Sequence, residues 1–468
     1  MLSLHLSTSR VAFAAAFALP LTVVALVGEP RAAMTAQEPQ MRVLVAEGSE
    51  LLLRADRDQP LRVRGLGRDQ RRLKRLHVRI QGGGLQVEGG GRASSLRIST
   101  TDPRGIWLGR RRYRGALLLL VRDGRIQAIN QLGIEAYLPS VVGSEMPATW
   151  PKAALQAQAV AARTYALRQR GSKGDFDVRA TVSSQVYKGI ESETDTTRDA
   201  VASTRALVLV HNGRLINAVF HSSSGGATEP SGEVWQTQMP YLVSVTDHDE
   251  HSPVHRWNQR FEAQDLRRRF QETGGVERLR VLSTSSTGRV RSARIQGPRG
   301  SLVISGRELR QRLGLKSTMV RFSILDDGWR GGTAPVREPR DQSVSPPQLI
   351  GLWSDSASGV TDAIDSSVAP FDGSAGPLPP PPPPSRPVDR QPVSRSSRPG
   401  GIVLEAEGQG YGHGVGMSQW GAHGLALKGA DFRQILRHFY RGAQIRRYRS
   451  SDDPSVAFRP PSGPALMG

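Results

Sequence analysis

Glu145 is the carboxylate in this sequence best placed to do acid chemistry. Ile134, Leu138, Val141, Val142 and Glu145 recur at helical spacing, so Glu145 lies on an apolar stripe, at its end, followed at once by Met146-Pro147. A carboxyl held against apolar neighbours has its pKa raised and serves as a general acid near neutral pH. The competing reading is a glutamate at a helix end that simply reaches solvent. A second stretch, "GQGYGHGVGMSQWG" (408–421), sets glycine at 408, 410, 412, 414 and 416. In an extended chain these would bare one backbone face while Gln409, Tyr411, His413 and Val415 stand on the other. The stretch is either a mobile loop or a strip where a flat ligand lies against the backbone. It fails as a dinucleotide fingerprint, because 413 and 417 are His and Met, and Trp420 spoils a nucleophile elbow.

Two further clusters are polar. "HSSSGGATE" (221–229) offers His221 and Ser224 around a glycine pair, as a polar binding loop would; no spacing supports a Ser-His hydrolase, and a turn is the simpler account. "DHDEHSPVH" (247–255) holds three histidines, but their spacing matches no zinc pattern and reads as a polar loop.

These residues need elements to hold them. From 41 to 130 short apolar runs such as "MRVLVA" and "ALLLLV" alternate with Gly, Asp and Arg clusters, as in an antiparallel β region. Pro139 sets a late start for the helix that carries Glu145. "TWPKAALQAQAVAARTYALRQRG" predicts a helix opened by Pro151 and stopped by Gly171, its seven alanines allowing close neighbours. Asn212-Gly213 predicts a hairpin turn, Ser305 with Glu308 a capping box, and 431–442 an amphipathic helix. Residues 331–400, with six consecutive prolines at 379–384, predict a disordered Pro/Ser/Gly-rich insertion, beyond which the chain must rejoin the folded body.

Composition narrows the partners. The chain has no cysteine, which excludes disulfides and thiolate chemistry. Its net charge of +21, almost all from arginine, suits a polyanion. Residues 11–27 are uncharged and mostly apolar, the mark of a signal peptide or N-terminal membrane anchor within 1–36, with no clean small-residue cleavage site after it. Export to the periplasm or cell envelope turns the reading from nucleic acid towards a carboxylate-bearing wall polymer.

Read together, "EAYLPSVVGSEMPATWPKAALQAQAVAARTYAL", "SSQVYKG", "HSSSGGATE", "SGRELRQRLGL" and "GQGYGHGVGMSQWGA" resemble, in order, the SpoIID/LytB family of lytic transglycosylases and amidase enhancers. The likeness covers 41–330 and 401–447, leaving 448–468 as a flexible basic tail. It implies an α+β, two-lobed fold with an antiparallel β-rich N-terminal part and a cleft for peptidoglycan glycan strands. It implies that Glu145, of Glu-Met-Pro, is the catalytic acid, and that Arg163, Gln185, Tyr187, His221, Ser224, Gly225 and Thr228 bind substrate. In the glycine strip Tyr411 would stack on sugar, and Gln409, His413, Ser418 and Gln419 would hydrogen-bond to it. On that view Gly412→Val or Gly414→Val abolishes glycan binding without unfolding the protein.

The chain departs from the family at two points. Gln156 stands where many relatives have Lys, and "VRATVSSQVY" lacks the His and Cys of zinc-containing members, so neither a metal nor another cofactor is expected. Ordinary glycosidases use two carboxylates. A lytic transglycosylase needs one, because the muramic acid's own 6-hydroxyl attacks and closes a 1,6-anhydro ring. Glu135, the nearest other carboxylate, reads as a capping or surface residue. The enhancer branch implies the alternative of a glycan-binding module that stimulates an N-acetylmuramoyl-L-alanine amidase.

Overall fold

Apolar alternation builds the first part of the chain. In Ser95–Ser99 the buried residues are Leu96 and Ile98, and in Arg75–Gln81 they are Leu76 and Val78, each pair two residues apart as the pleat requires. The computed structural model describes residues 38–326 and 402–449, apart from 57–58, 68–70, 172–173, 183 and 236. The apolar segment at 11–27, the 331–400 insertion and most of the basic tail lie outside them. Among the described residues no helix is long and apolar enough to cross a membrane.

The expected β region forms two sheets. One has seven strands, in the order Val178–Arg179, Gln40–Gly48, Arg125–Gly133, Ala116–Arg122, Ser95–Ser99, Leu61–Arg64 and Arg71–Leu73. All its pairings are antiparallel except that of Gln40–Gly48 with Val178–Arg179. The other has six antiparallel strands, with Glu50–Arg54 and Arg75–Gln81 at its centre. Leu53, Leu76 and Val78 of the second sheet share a core with Leu96, Leu117 and Ile126 of the first.

Strand Arg125–Gly133 runs directly into helix α1, Ile134–Glu145. Pro139 does not delay the helix as expected. It sits in the second turn, where its missing N–H forfeits only the bond to the Glu135 carbonyl. Helix α2, Lys152–Gln169, follows, with Pro151 as its cap and Gly171 (φ 73°) just beyond its end. Six of its seven alanines are buried, and on every side, so the helix is central rather than amphipathic. It packs on α1, on α3 (Asp195–Ser203), on strand Leu207–His211 and on the helices Gln419–Leu427 and Phe432–Phe439. The Asn212-Gly213 turn forms, both residues at positive φ. Ser305 caps Gly306–Leu313 through the Glu308 N–H, but the Glu308 carboxylate pairs with Arg312 rather than closing the box.

A second core collects Trp257, Phe261, Leu266, Phe270, Ile295, Leu309 and Leu404. It lies among two three-stranded antiparallel sheets and the helices Ala263–Arg269 and Gly306–Leu313. One sheet joins Arg256–Phe261, Ile402–Gln409 and Val320–Asp326. There Asp326 pairs directly with Ile402. The chain leaves at 326 and re-enters beside the same point, so a long segment is inserted at a hairpin end, where loop length matters little to stability.

Candidate functional site

Glu145 is the last residue of α1, and two distant segments close on its carboxyl. Oε1 accepts the Val186 N–H at 2.9 Å, and Oε2 accepts Gln419 Nε2 at 3.2 Å. The residue as a whole is half-buried, while burial dominates at its carboxyl end. That burial pushes the carboxyl above the usual carboxylate range, against the two hydrogen bonds and the Lys188 charge. The C-terminal end of a helix also disfavours a negative charge. No second carboxylate is among the groups that shift it.

Residues expected to touch substrate instead build the support beneath Glu145. Gln185 and Tyr187, which flank Val186, are buried. Gln185 accepts the Tyr137 hydroxyl at 3.1 Å and donates to the Ala162 carbonyl at 3.1 Å. The Tyr187 hydroxyl donates to Asn130 Oδ1 at 2.8 Å, and its ring lies 4.9 Å from that of Tyr137. These anchors aim the Val186 N–H at Glu145 and leave neither side chain free for a ligand.

Arg163 is likewise engaged within the fold. Its guanidinium grips Glu135 in a fork, Nε to Oε1 at 2.9 Å and Nη2 to Oε2 at 2.7 Å. It also donates to the carbonyls of Leu207 and Val201. The side chains are 1% and 9% exposed, so Glu135 is no surface residue and the Arg163 guanidinium is taken up by contacts within the protein. Glu135 also accepts the N–H of Ala206, a residue at positive φ. The pair thus binds α1, α2, the end of α3 and the strand after it. Gln156 hydrogen-bonds Ser203 at 2.9 Å.

The glycine strip is not extended. Gly410, Gly412, Gly414 and Gly416 all have positive φ, between 70° and 117°, so the alternation encodes a series of left-handed turns. A Cβ on Gly412 would lie 2.8 Å from that of His221, and one on Gly416 would lie 2.2 Å from the Val219 carbonyl oxygen. At Gly414 it would lie 2.6 Å from Cζ of Arg289. The bare face accommodates protein, not sugar. Gly412→Val and Gly414→Val therefore destabilise the fold by more than about 2 kcal/mol, which a drop in thermal midpoint would reveal. Val415 is buried, while Gln409, Tyr411 and His413 remain half-buried. The strip ends by delivering Ser418, which caps the Gln419–Leu427 helix, and Gln419, which meets Glu145.

Beneath the strip lies a closed polar network. His221 places Nδ1 3.1 Å from the Val415 carbonyl and Nε2 2.9 Å from Ser224 Oγ. The carbonyl assigns the proton to Nδ1, so Ser224 donates to Nε2 as in a nucleophilic dyad. Yet Ser224 is 0% and His221 5% exposed, so the pair is closed off from the surface in this structure. The Gly225 N–H donates to Asp249, and Thr228, also buried, binds the Val243 and Val245 carbonyls. Burial and neighbouring Asp249 push Asp247 up to about 6, and burial with the charges of Arg310 and Arg289 pushes His413 down to about 3. Arg289, buried against Glu229 and the Ser224 carbonyl, ties the hairpin of the second core to this network.

The 247–255 histidines disperse. His248 takes Lys428, His251 faces the His423 ring and His255 pairs with Asp249. Among the described residues no group of three or more His, Asp or Glu is arranged to hold a metal ion.

Sequence reasoning missed the aromatic flank. Trp420 follows Gln419, and its ring stands edge-on to Trp150 at 4.7 Å. His423 lies 4.7 Å from Trp150 and 5.3 Å from Trp420, with its Nδ1 buried and without a hydrogen-bond partner among the described residues. Both tryptophans are half-buried. Their signal was present, five residues after Glu145 and one after Gln419, but nothing in the spacing joins them.

The family model described as SpoIID, Stage II sporulation protein, matches residues 122–211, the segment holding Glu145, the Arg163 pair and Val186. A protein named amidase enhancer from Bacillus subtilis (strain 168) is 29% identical over 316 residues, 66% of this chain and 40% of that protein. The Stage II sporulation protein D of the same organism is 27% identical over 339 residues, 68% of this chain and 76% of that protein. An uncharacterized protein of Brachyspira hyodysenteriae is 26% identical over 377 residues, 80% and 81% of the two chains. The chain therefore spans well under half of the amidase enhancer but most of the other two. These matches, one to a family model and two to named relatives, support its likeness to the SpoIID/LytB family.

Proposed function

We propose that the protein is a peptidoglycan lytic transglycosylase, exported to the cell envelope, with Glu145 as general acid and then base. The observation that carries this reading is a single carboxyl, buried at its tip, held by two inward hydrogen bonds, with no carboxylate partner among the described residues. Glu135, the other acid of α1, is committed to Arg163. A hydrolase of the usual kind needs that second carboxylate to attack or to activate water.

One carboxyl suffices for intramolecular transfer. Glu145 gives its proton to the glycosidic oxygen as the bond from C1 of N-acetylmuramic acid breaks. The 6-hydroxyl oxygen of the same sugar bonds to C1, and its proton passes to the Glu145 carboxylate. The products are a 1,6-anhydro end and a new 4-hydroxyl, with no water consumed and the acid regenerated. The half-buried Trp150 and Trp420 rings supply apolar surface for a sugar face beside the acid, and Tyr411 and His413 line the strip.

A relative's name favours a second reading. A family member named amidase enhancer, together with Gln156 where many relatives carry Lys, fits a non-catalytic glycan-binding partner of an N-acetylmuramoyl-L-alanine amidase. Intact sacculi incubated with purified amidase, and with this protein as wild type or Glu145→Gln, separate the two. Transglycosylation requires the wild type alone to release glycan. If the protein alone is inert and both forms raise stem-peptide release equally, the enhancer reading holds.

A further inference from the structure

Strands Arg278–Thr284, Val290–Gly297 and Gly300–Ser305 form an antiparallel sheet of the second core. Leu279, Val281, Ala293, Ile295, Leu302 and Ile304 turn one face inward. Alternation puts Arg278, Arg280, Arg294, Gln296, Ser301 and Val303 on the other face. The register sets Arg280 directly opposite Arg294, with Arg278 opposite Gln296 and Arg294 opposite Val303. All three arginines are exposed, and Val303 is 54% exposed.

Like charges directly opposite on neighbouring strands repel. No aspartate or glutamate stands among these outward residues to relieve them, and among the described residues none of the three guanidiniums has an ion-pair partner. Other arginines, Arg112, Arg198 and Arg312 among them, each hold a carboxylate, while Arg62 opposite Arg72 and Arg64 opposite Arg97 repeat the like-charge pairing in the seven-stranded sheet. The face is thus a flat strip of unneutralised guanidiniums interleaved with amide and hydroxyl groups. Guanidiniums match carboxylates in a fork, and serine and glutamine match sugar hydroxyls.

We propose that this sheet face binds the carboxylates of the wall glycan, chiefly the lactyl groups bared when stem peptides are removed, and so holds the strand by a second contact remote in sequence from Glu145. The proposal rests on the glycan reading above. Its occupant is a carboxylate-bearing polysaccharide rather than an acidic protein, because the polar residues between the arginines suit a hydroxyl-rich chain.

The test uses the whole chain carrying Glu145→Gln, so that strands stay intact, and phosphate-free glycan strands stripped of peptides. Two further variants are compared with it, Arg278→Gln/Arg280→Gln/Arg294→Gln and the single Arg280→Glu, which sets a carboxylate opposite Arg294. Both should melt no lower than the parent, since each removes a repulsion. Strand binding at low salt should fall about tenfold in the triple variant. The difference should vanish near about 0.5 M salt, where screening reaches only a few ångströms. Strands with amidated carboxyls should bind the parent no better than the triple variant. Equal binding by parent and variants overturns the proposal while leaving the glycan reading intact. Loss of amidase stimulation with unchanged strand binding overturns it in favour of an acidic protein. Failure of the parent itself to bind strands overturns both readings together.

Discussion

Glu145→Gln lowers the rate of glycan cleavage by about 10²–10⁴-fold, the usual contribution of a positioned acid, while the melting temperature and strand binding stay close to wild type. Glutamine keeps the shape and can still accept the Val186 N–H, so loss of the proton is the main change. The pH profile carries the same information with a definite sign. Burial raises the Glu145 pKa, so the acid stays protonated, and the rate is sustained, above the ordinary carboxylate value of about 4.3. Activity then falls as pH rises through the raised value. Lys188→Met removes a charge that favours the carboxylate and moves that falling limb to higher pH. A profile indifferent to Lys188 and to Glu145 would assign the proton transfer to another group.

Arg163→Met destabilises the protein by about 3–5 kcal/mol, because it leaves the Glu135 carboxylate buried without its partner. A loss of that size is a large part of a typical domain's stability of about 5–15 kcal/mol. Adding Glu135→Gln recovers part of it, since the stranded charge is then gone. Urea unfolding of both variants measures this directly. An Arg163→Met protein that unfolds like wild type but binds glycan weakly would return the residue to the substrate, as the family resemblance implied.

That contrast shows where the sequence was legible. Periodicity found α1 and placed Glu145 on its buried stripe, and alanine content marked α2 as a helix with close neighbours. The hairpin at Asn212-Gly213 was readable because only a turn with positive φ suits that pair. Long-range pairing was not readable. Arg163 and Glu135 are 28 residues apart, and Gln419 lies 274 residues from Glu145, so nothing local reports either contact. The glycine strip misled for a different reason. Glycine at every second position satisfies both a bare strand face and a chain of left-handed turns, and only the packing against His221, Val219 and Arg289 selects the turns.

The residues around Glu145 divide by exposure. Gln185, Tyr187, Arg163, His221, Ser224 and Thr228 are buried and act through what they hold in place. Tyr411, His413, Trp150 and Trp420 keep part of their surface open, and these would meet a sugar chain. On this account the strip positions Gln419 against the acid and leaves Tyr411 and His413 half-buried beside it.

The most direct test is mass spectrometry of the glycan ends produced by the purified protein from peptidoglycan, before and after amidase treatment. The account predicts 1,6-anhydro-N-acetylmuramic ends from the wild type and none from Glu145→Gln. Reducing ends in their place, or anhydro ends undiminished by Glu145→Gln, would contradict it.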